Sequence, residues 1–459
     1  MKFFNRSDEK ERLLRGFHSQ TGSFFCLYGR RRCGKSRLLR ETLPREHAVY
    51  HVADQMEATL QRRRLAADIA KVLPGFDQVT YPDWSALLDR WHKEAPVGAC
   101  LILDEFPYLV MSSPELPSIL QRIVDAAAGT PLHTVICGSS QRMMQGLVLA
   151  PSAPLYGRAR EILKITPLEF GWMAKALPEA SEQEVLEQFS IWGGVPRYWE
   201  LAAEFTTVSQ AIQNLILAPQ GVLHNEPRHL LIDEMKDIVQ ASSILMLVGQ
   251  GCHRLSEIAA RLGKPATSLT RPLLNLQELG LIAREIPFGA DERNGKKSLY
   301  RLADPFLAFW FRFVQPNRSL LESASVSSVY RMISPVIPQH TAEVFEVLAR
   351  RCVPRLAIAG QEWGSARRWW GNGHSGQQME IDVVAESLDG KNLLLGEVKL
   401  SATAVEMDRI QKQLQEKGAQ LPFAKRYQRV ETVVFSAVER SATEKTNVVG
   451  LPDLIRVLV

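Results

Sequence analysis

Short, mainly apolar runs alternate with amphipathic stretches over the first third of the chain. The runs at 23–28, 47–53, 99–103 and 132–137 are too short for helices and read as strands. Such runs separated by helical patterns predict a parallel sheet buried on both sides. The expected fold class is α/β, with a phosphate-loop core at residues 1–170. Residues 171–238 read as helical, broken at Gly193-Gly194-Val195-Pro196, and predict a lid. Between 239 and 303 the pattern gives a helix at 255–263 closed by Gly263 and a second helix at 266–276. Two short strands follow, at 280–285 and 299–302, and suit a hairpin. Residues 304–337 predict a helical connector, with the aromatic run Phe306 to Phe311 followed by a serine-rich stretch. A second α/β unit is expected over 338–459, with helices near 340–352 and 403–417 and a strand at 430–436.

In that last unit the alternation itself carries chemistry. Glu380-Ile381-Asp382-Val383-Val384 and Gly396-Glu397-Val398-Lys399 flank Asp389-Gly390, a strong hairpin dipeptide. A two-residue loop there pairs Leu388 with Lys391. Counting back places Asp382 opposite Glu397 and Glu380 opposite Lys399, all on one face. Directly opposed carboxylates destabilise a sheet, whereas a hard divalent cation uses them. A salt-bridge set on an inactive scaffold is the bland alternative, with Glu380 satisfied by Lys399.

The first run ends in Gly29-Arg30-Arg31-Arg32-Cys33-Gly34-Lys35-Ser36, a full phosphate-loop pattern between a strand and a helix, with Arg37 beside it. Backbone amides would cradle the phosphates of ATP, Lys35 would reach the β- and γ-phosphates, and Ser36 would hold Mg2+. The run at 99–103 ends in Asp104-Glu105: Asp104 suits magnesium and Glu105 suits activation of the attacking water. Gly138-Ser139-Ser140 follows the next run, where Ser140 is a candidate γ-phosphate sensor or an ordinary turn residue. Arg158 is a candidate arginine finger or a surface ion pair. A finger acting between chains would require a homo-oligomer.

These motifs, together with Phe4-Asn5-Arg6, Leu155-Tyr156-Gly157-Arg158 and Gly193-Gly194-Val195-Pro196-Arg197-Tyr198, occur in an order that resembles the archaeal-type AAA+ ATPases, related to the STAND and Cdc6/Orc-type groups. The resemblance covers roughly residues 1–240. It implies an adenine pocket near Asn5 and Arg6 and a nucleotide-sensing role for Arg197. Residues 255–302 look like the winged helix-turn-helix that commonly follows such modules. Its tip would set Arg293, Lys296 and Lys297 against DNA phosphates, unless the module only packs domains. The run Trp369-Trp370-Gly371, Glu380-Ile381-Asp382 and Gly396-Glu397-Val398-Lys399 resembles the DUF234-type domain of unknown function and the PD-(D/E)XK nucleases. On that resemblance Asp382 and Glu397 would ligate magnesium, Glu346 would assist, and Lys399 would act in catalysis. No proline precedes the aspartate, and Gln411 and Gln413 lack a tyrosine partner.

Composition changes this picture little. The chain has 459 residues, 46% of them hydrophobic, and a net charge of +5, which permits DNA contact without arguing for it. Six scattered cysteines without metal spacing fit a reducing cytoplasm. The first six residues lack the apolar run of a signal peptide, and no stretch approaches the ~20 apolar residues of a membrane span. Three functions share the ATPase: control of a nuclease-like domain on DNA, a regulatory switch with a non-cleaving binding domain, and a defence-type sensor of a protein ligand.

Overall fold

The computed structural model describes residues 5–44, 46–235, 237–291, 295–401, 403–438 and 447–459. The chain divides into two units. One comprises Asn5–Pro167 with the three residues Ile232–Glu234. The other comprises Leu168–Leu231 and Met235–Val459.

The first unit is built on five parallel strands: β1 (Phe24–Tyr28), β2 (Ala48–Val52), β3 (Cys100–Asp104), β4 (His133–Gly138) and β5 (Glu161–Lys164). Their order is β2-β3-β4-β1-β5. Strands β1, β3 and β4 are buried along their whole length, as strands covered on both faces must be. The fifth strand was not legible in the apolar pattern. It lies at the sheet edge with only Leu163 buried, so its sequence carries no continuous apolar run. Trp84, Trp91, Phe76 and Phe106 fill the core on the helical side.

In the second unit, helices Leu255–Leu262 and Ala266–Glu278 are followed by the antiparallel pair β6 (Ile282–Glu285) and β7 (Leu299–Leu302). Pro272 lies inside the second of these helices. Proline removes one backbone bond there. The burial of Leu269, Leu273 and Leu276 on one face outweighs that loss. The serine-rich stretch is helical at Arg318–Ser323 and Val326–Ile333, and the Ser325 side chain caps the second of these.

The same unit holds a second five-stranded sheet: β8 (Arg367–Asn372), β9 (Gln378–Glu386), β10 (Asn392–Lys399), β11 (Arg429–Ser436) and β12 (Val448–Gly450). Strands β8 to β10 run antiparallel, whereas β11 and β12 are parallel to β10. Helix Ile337–Cys352 packs on β9 and β10, and helix Ala404–Gln420 packs on β10 and β11. All six cysteines are buried, and none forms a disulfide. Among the described residues no helix is long and apolar enough to cross a membrane.

Candidate functional site

The phosphate loop leaves β1 through a backbone that few side chains tolerate. Gly29 has φ 144°, and a Cβ on it would lie 2.1 Å from the Ile165 carbonyl oxygen. Gly34, at φ 91°, caps helix Lys35–Thr42. The side chain of Lys35 is buried, and its ammonium donates to the carbonyls of Gly29 at 2.7 Å and Arg30 at 3.1 Å. The loop thus holds its cation over its own carbonyls.

Strand β3 ends beside this lysine. The Ser36 hydroxyl donates to Asp104 Oδ2 at 2.7 Å, and the Tyr50 hydroxyl donates to the same oxygen at 2.5 Å. Burial, then the Asp104 charge, push the Tyr50 phenol well above its ordinary value, so it stays a donor. Asp104 Oδ1 accepts the Glu105 amide at 3.0 Å. Every partner of Asp104 here is a neutral donor. A hydroxyl and a carboxylate side by side are hard oxygen donors, so this pair fits Mg2+ in kind. Tyr50 was missed in the sequence because it sits in β2 as an ordinary aromatic strand residue.

Glu105 has φ 55°, a left-handed conformation uncommon for a side-chain-bearing residue. Its carboxylate accepts the Ser139 amide at 3.1 Å and the Ser139 hydroxyl. Ser140 caps the next helical turn, and its hydroxyl donates to the Asp233 carbonyl at 3.0 Å. Arg6, also left-handed at φ 74°, is buried. It donates to Glu9 at 3.1 Å, to the Cys33 carbonyl at 3.4 Å and to the Thr166 carbonyl, and so ties the loop to the end of the sheet. Asn5 precedes it at φ 57°, whereas Phe4 lies outside the described residues. Arg31 pairs with Asp233 at 3.4 Å. Cys33 is buried, and Arg32 adopts φ 65°.

Two arginines take other settings. Arg158 forms a two-pronged pair with Asp125, at 2.8 and 3.0 Å. Arg197 belongs to the second unit and pairs with Glu200 at 3.0 Å.

The C-terminal acids are assembled by β9, β10 and helix Ile337–Cys352. The hairpin register is the one expected from counting. Leu393 pairs with Glu386 and Gly396 with Val383, which leaves Asp382 and Glu397 at the next position. The loop is corrected: Ser387 and Asn392 close a four-residue turn, so Leu388 and Lys391 do not pair. The Asp389 side chain bonds both the Ser387 hydroxyl and the Lys391 amide, which satisfies the longer turn. The paired ladder ends at Gly396. Beyond it Asp382 Oδ2 accepts the Val398 amide at 3.0 Å, so a side chain replaces a backbone partner.

The expected Glu380–Lys399 pair is also corrected. Glu380 pairs with Arg368 of β8, and Lys399 bonds Glu397 at 2.9 Å. Lys417, on helix Ala404–Gln420, reaches the other Glu397 oxygen at 3.3 Å. Glu346 pairs with the buried Arg350 at 3.6 Å, which also pairs with Glu285 at 3.5 Å. Burial, then Glu397, raise the Asp382 carboxyl above its ordinary value. Burial, then Asp382, do the same to Glu346. Burial pulls Lys399 down, but Glu397, Asp382 and Glu346 together hold it above its ordinary value. Among the described residues no three or more His, Cys, Asp or Glu side chains are grouped to hold a metal ion. Of the expected set, Glu346 pairs with Arg350 and Glu397 with Lys399 and Lys417, whereas Asp382 accepts the Val398 amide. Lys417 and Arg368 had no motif to announce them. Gln411 bonds Thr432 of β11 at 3.2 Å.

On helix Ala266–Glu278, Thr267, Ser268, Thr270 and Arg271 are exposed, with Arg261 and Lys264 exposed before it. Lys297 is exposed on the hairpin loop. Arg293 and the Lys296 side chain lie outside the described residues.

A five-stranded parallel sheet with a phosphate loop after β1 and paired acids at the end of β3 defines a P-loop ATPase. Residues 3–201 match the family described as an ATPase domain predominantly from Archaea, and residues 310–410 match one described as archaeal and bacterial proteins of unknown function. An uncharacterized protein of Methanocaldococcus jannaschii is 30% identical over 401 residues, covering 86% of this chain and 87% of that protein. The chain belongs to this archaeal-type ATPase family: it binds ATP, hydrolyses it, and carries the DUF234 domain at its C-terminal side. The fold is similar to the Walker-type ATPase of Pyrococcus abyssi, with TM-score 0.52 and 19% identity over 68% of this chain and 96% of that one. The ORC2 protein of Aeropyrum pernix, in ADPNP–ADP complexes, matches at TM-score 0.46 and 16% identity, over 73% of this chain and 96% of that one.

Proposed function

We propose that ATP binding and hydrolysis control a metal-dependent, nuclease-like C-terminal domain that acts on DNA. At the ATP site Lys35 holds the β- and γ-phosphates, and Ser36 with Asp104 holds Mg2+, which neutralises phosphate charge when bound. Glu105 takes the proton of the attacking water once Ser139 releases its carboxylate. Ser140 would register the γ-phosphate through its hydroxyl, which donates to the Asp233 carbonyl.

The nuclease-like reading rests on one observation: β9 and β10 part where Asp382 and Glu397 face each other. Burial and then the Glu397 charge raise Asp382 there, and burial and then the Asp382 charge raise Glu346 on the adjoining helix. A bound divalent cation relieves such strain. Asp382 and Glu397 would hold it, supplying Lewis-acid help to phosphodiester hydrolysis. Lys399 would orient the scissile phosphate, and Lys417 would give up Glu397. Arg261, Lys264, Arg271 and Lys297 would bear on DNA phosphates.

The test is incubation of the full chain with plasmid, linear, branched and single-stranded DNA, with and without ATP and Mn2+. Cleavage that needs metal and is lost in Asp382→Ala is expected. No cleavage of any substrate under any condition moves the C-terminal domain to a non-cleaving binding role under ATP control, the second reading. The lysines already compensating Glu397 favour that reading.

A further inference from the structure

The last turn of helix Glu226–Glu234 carries two acids that the ATPase motifs do not use, and both belong to the ATPase unit. Asp233 pairs with Arg31 of the phosphate loop, and its carbonyl accepts the Ser140 hydroxyl. Glu234 is buried. Its two oxygens accept the amides of Gln141 at 2.9 Å and Arg142 at 3.2 Å, directly after the Gly138-Ser139-Ser140 turn. A carboxylate of the chain itself therefore takes up amide donors beside the phosphate loop.

Few charged groups face this carboxyl. Lys35 faces it from the loop helix, and Asp233 adjoins it on its own turn with Arg31 against it. Arg142 contributes its amide. Tyr108, in the field of Asp233 and Glu105, borders the same region. Burial pushes the Glu234 carboxyl up to about 7. The two amides oppose the rise, Asp233 adds to it, and Lys35 opposes it. A triphosphate engaging Lys35 takes that compensation away and brings further negative charge.

We propose that Glu234 is a positioning residue that makes triphosphate binding proton-coupled: the γ-phosphate is accommodated when Glu234 is protonated and neutral on the Gln141 and Arg142 amides, and ADP makes no such demand. The proton comes from solvent, one for each triphosphate bound. The proposal rests on Lys35 as the phosphate ligand.

The test is calorimetric titration of the full chain with a non-hydrolysable ATP analogue and with ADP, both with Mg2+, from pH 6.5 to 8.5. In the wild type the analogue Kd should rise by about tenfold more than the ADP Kd over that range, as coupling to one proton requires. Glu234→Gln should remove the difference and bind the analogue about tenfold more tightly than the wild type at pH 8.5. Glu234→Asp should keep the pH dependence. A wild-type ratio of analogue to ADP affinity that does not change with pH overturns the proposal, even if the glutamine variant fails to fold. A slope that persists in a folded glutamine variant does so too. If Lys35→Ala still binds both nucleotides as the wild type does, the Lys35 reading falls first and takes the proposal with it.

Discussion

The two acidic sites of this chain solve opposite electrostatic problems. At the ATP site Asp104 is held by the Ser36 hydroxyl, the Tyr50 hydroxyl and the Glu105 amide, all uncharged donors. Glu105 rests on Ser139 in the same way. Lys35 meanwhile donates to two carbonyls of its own loop. Charge there is kept available for a ligand. At the C-terminal site three acids form ion pairs: Glu397 with Lys399 and Lys417, Glu380 with Arg368, and Glu346 with Arg350. A ligand at the first site fills a prepared place, whereas a metal at the second must displace cations already present. Such competition lowers affinity, so the second site suits control.

Removing Lys35 should break the first half of that contrast most severely. Charge-assisted bonds to phosphate contribute roughly 1.5–3 kcal/mol each, so Lys35→Ala should weaken ATP binding by at least about a hundredfold, as read by equilibrium binding. Glu105→Gln separates binding from chemistry. It should bind ATP as the wild type does and turn it over about a hundredfold more slowly, and normal turnover would remove Glu105 from the mechanism. Lys417→Met probes the second half. Freed of one competing ammonium, Glu397 should bind Mn2+ about tenfold more tightly, and an unchanged affinity would mean that the lysine does not compete.

Asp382 adds a pH signature. A carboxyl raised in the folded state stabilises most below its unfolded pKa, and that contribution is lost as pH rises through the folded value. Wild-type stability should therefore fall relative to Asp382→Asn as pH rises above the ordinary aspartate range. By neutrality the variant should melt about 2 °C higher in metal-free buffer, and a lower melting point would place the strain elsewhere. The smallest effect belongs to Arg158. As one partner of an exposed pair with Asp125, its change to alanine should alter ATP turnover by less than about twofold. A loss of a thousandfold would restore it as a finger.

The sequence foretold elements best where burial is one-sided or complete. The runs of β1, β3 and β4 are mainly apolar because both faces are covered, and the hairpin register could be counted from Asp389-Gly390 although the turn proved longer. Edge strand β5 escaped notice because Glu161 and Lys164 flank its single buried residue. The phosphate loop and Asp104-Glu105 were readable because their chemistry requires fixed spacing along one segment. The cations that set the state of the C-terminal acids were not. Arg368, Arg350 and Lys417 lie on three different elements, and only the fold brings them to Glu380, Glu346 and Glu397. Glu234 went unread for the same reason, since it lies far along the chain from the amides it meets.

One measurement sets the two sites against each other directly: titration of Mn2+ into the full chain, followed by its paramagnetic resonance, with a non-hydrolysable ATP analogue present. The account predicts two classes of bound ion, one lost in Lys35→Ala and the other lost in Asp382→Ala. A single class that disappears with Lys35 and is unaffected by Asp382 would contradict it.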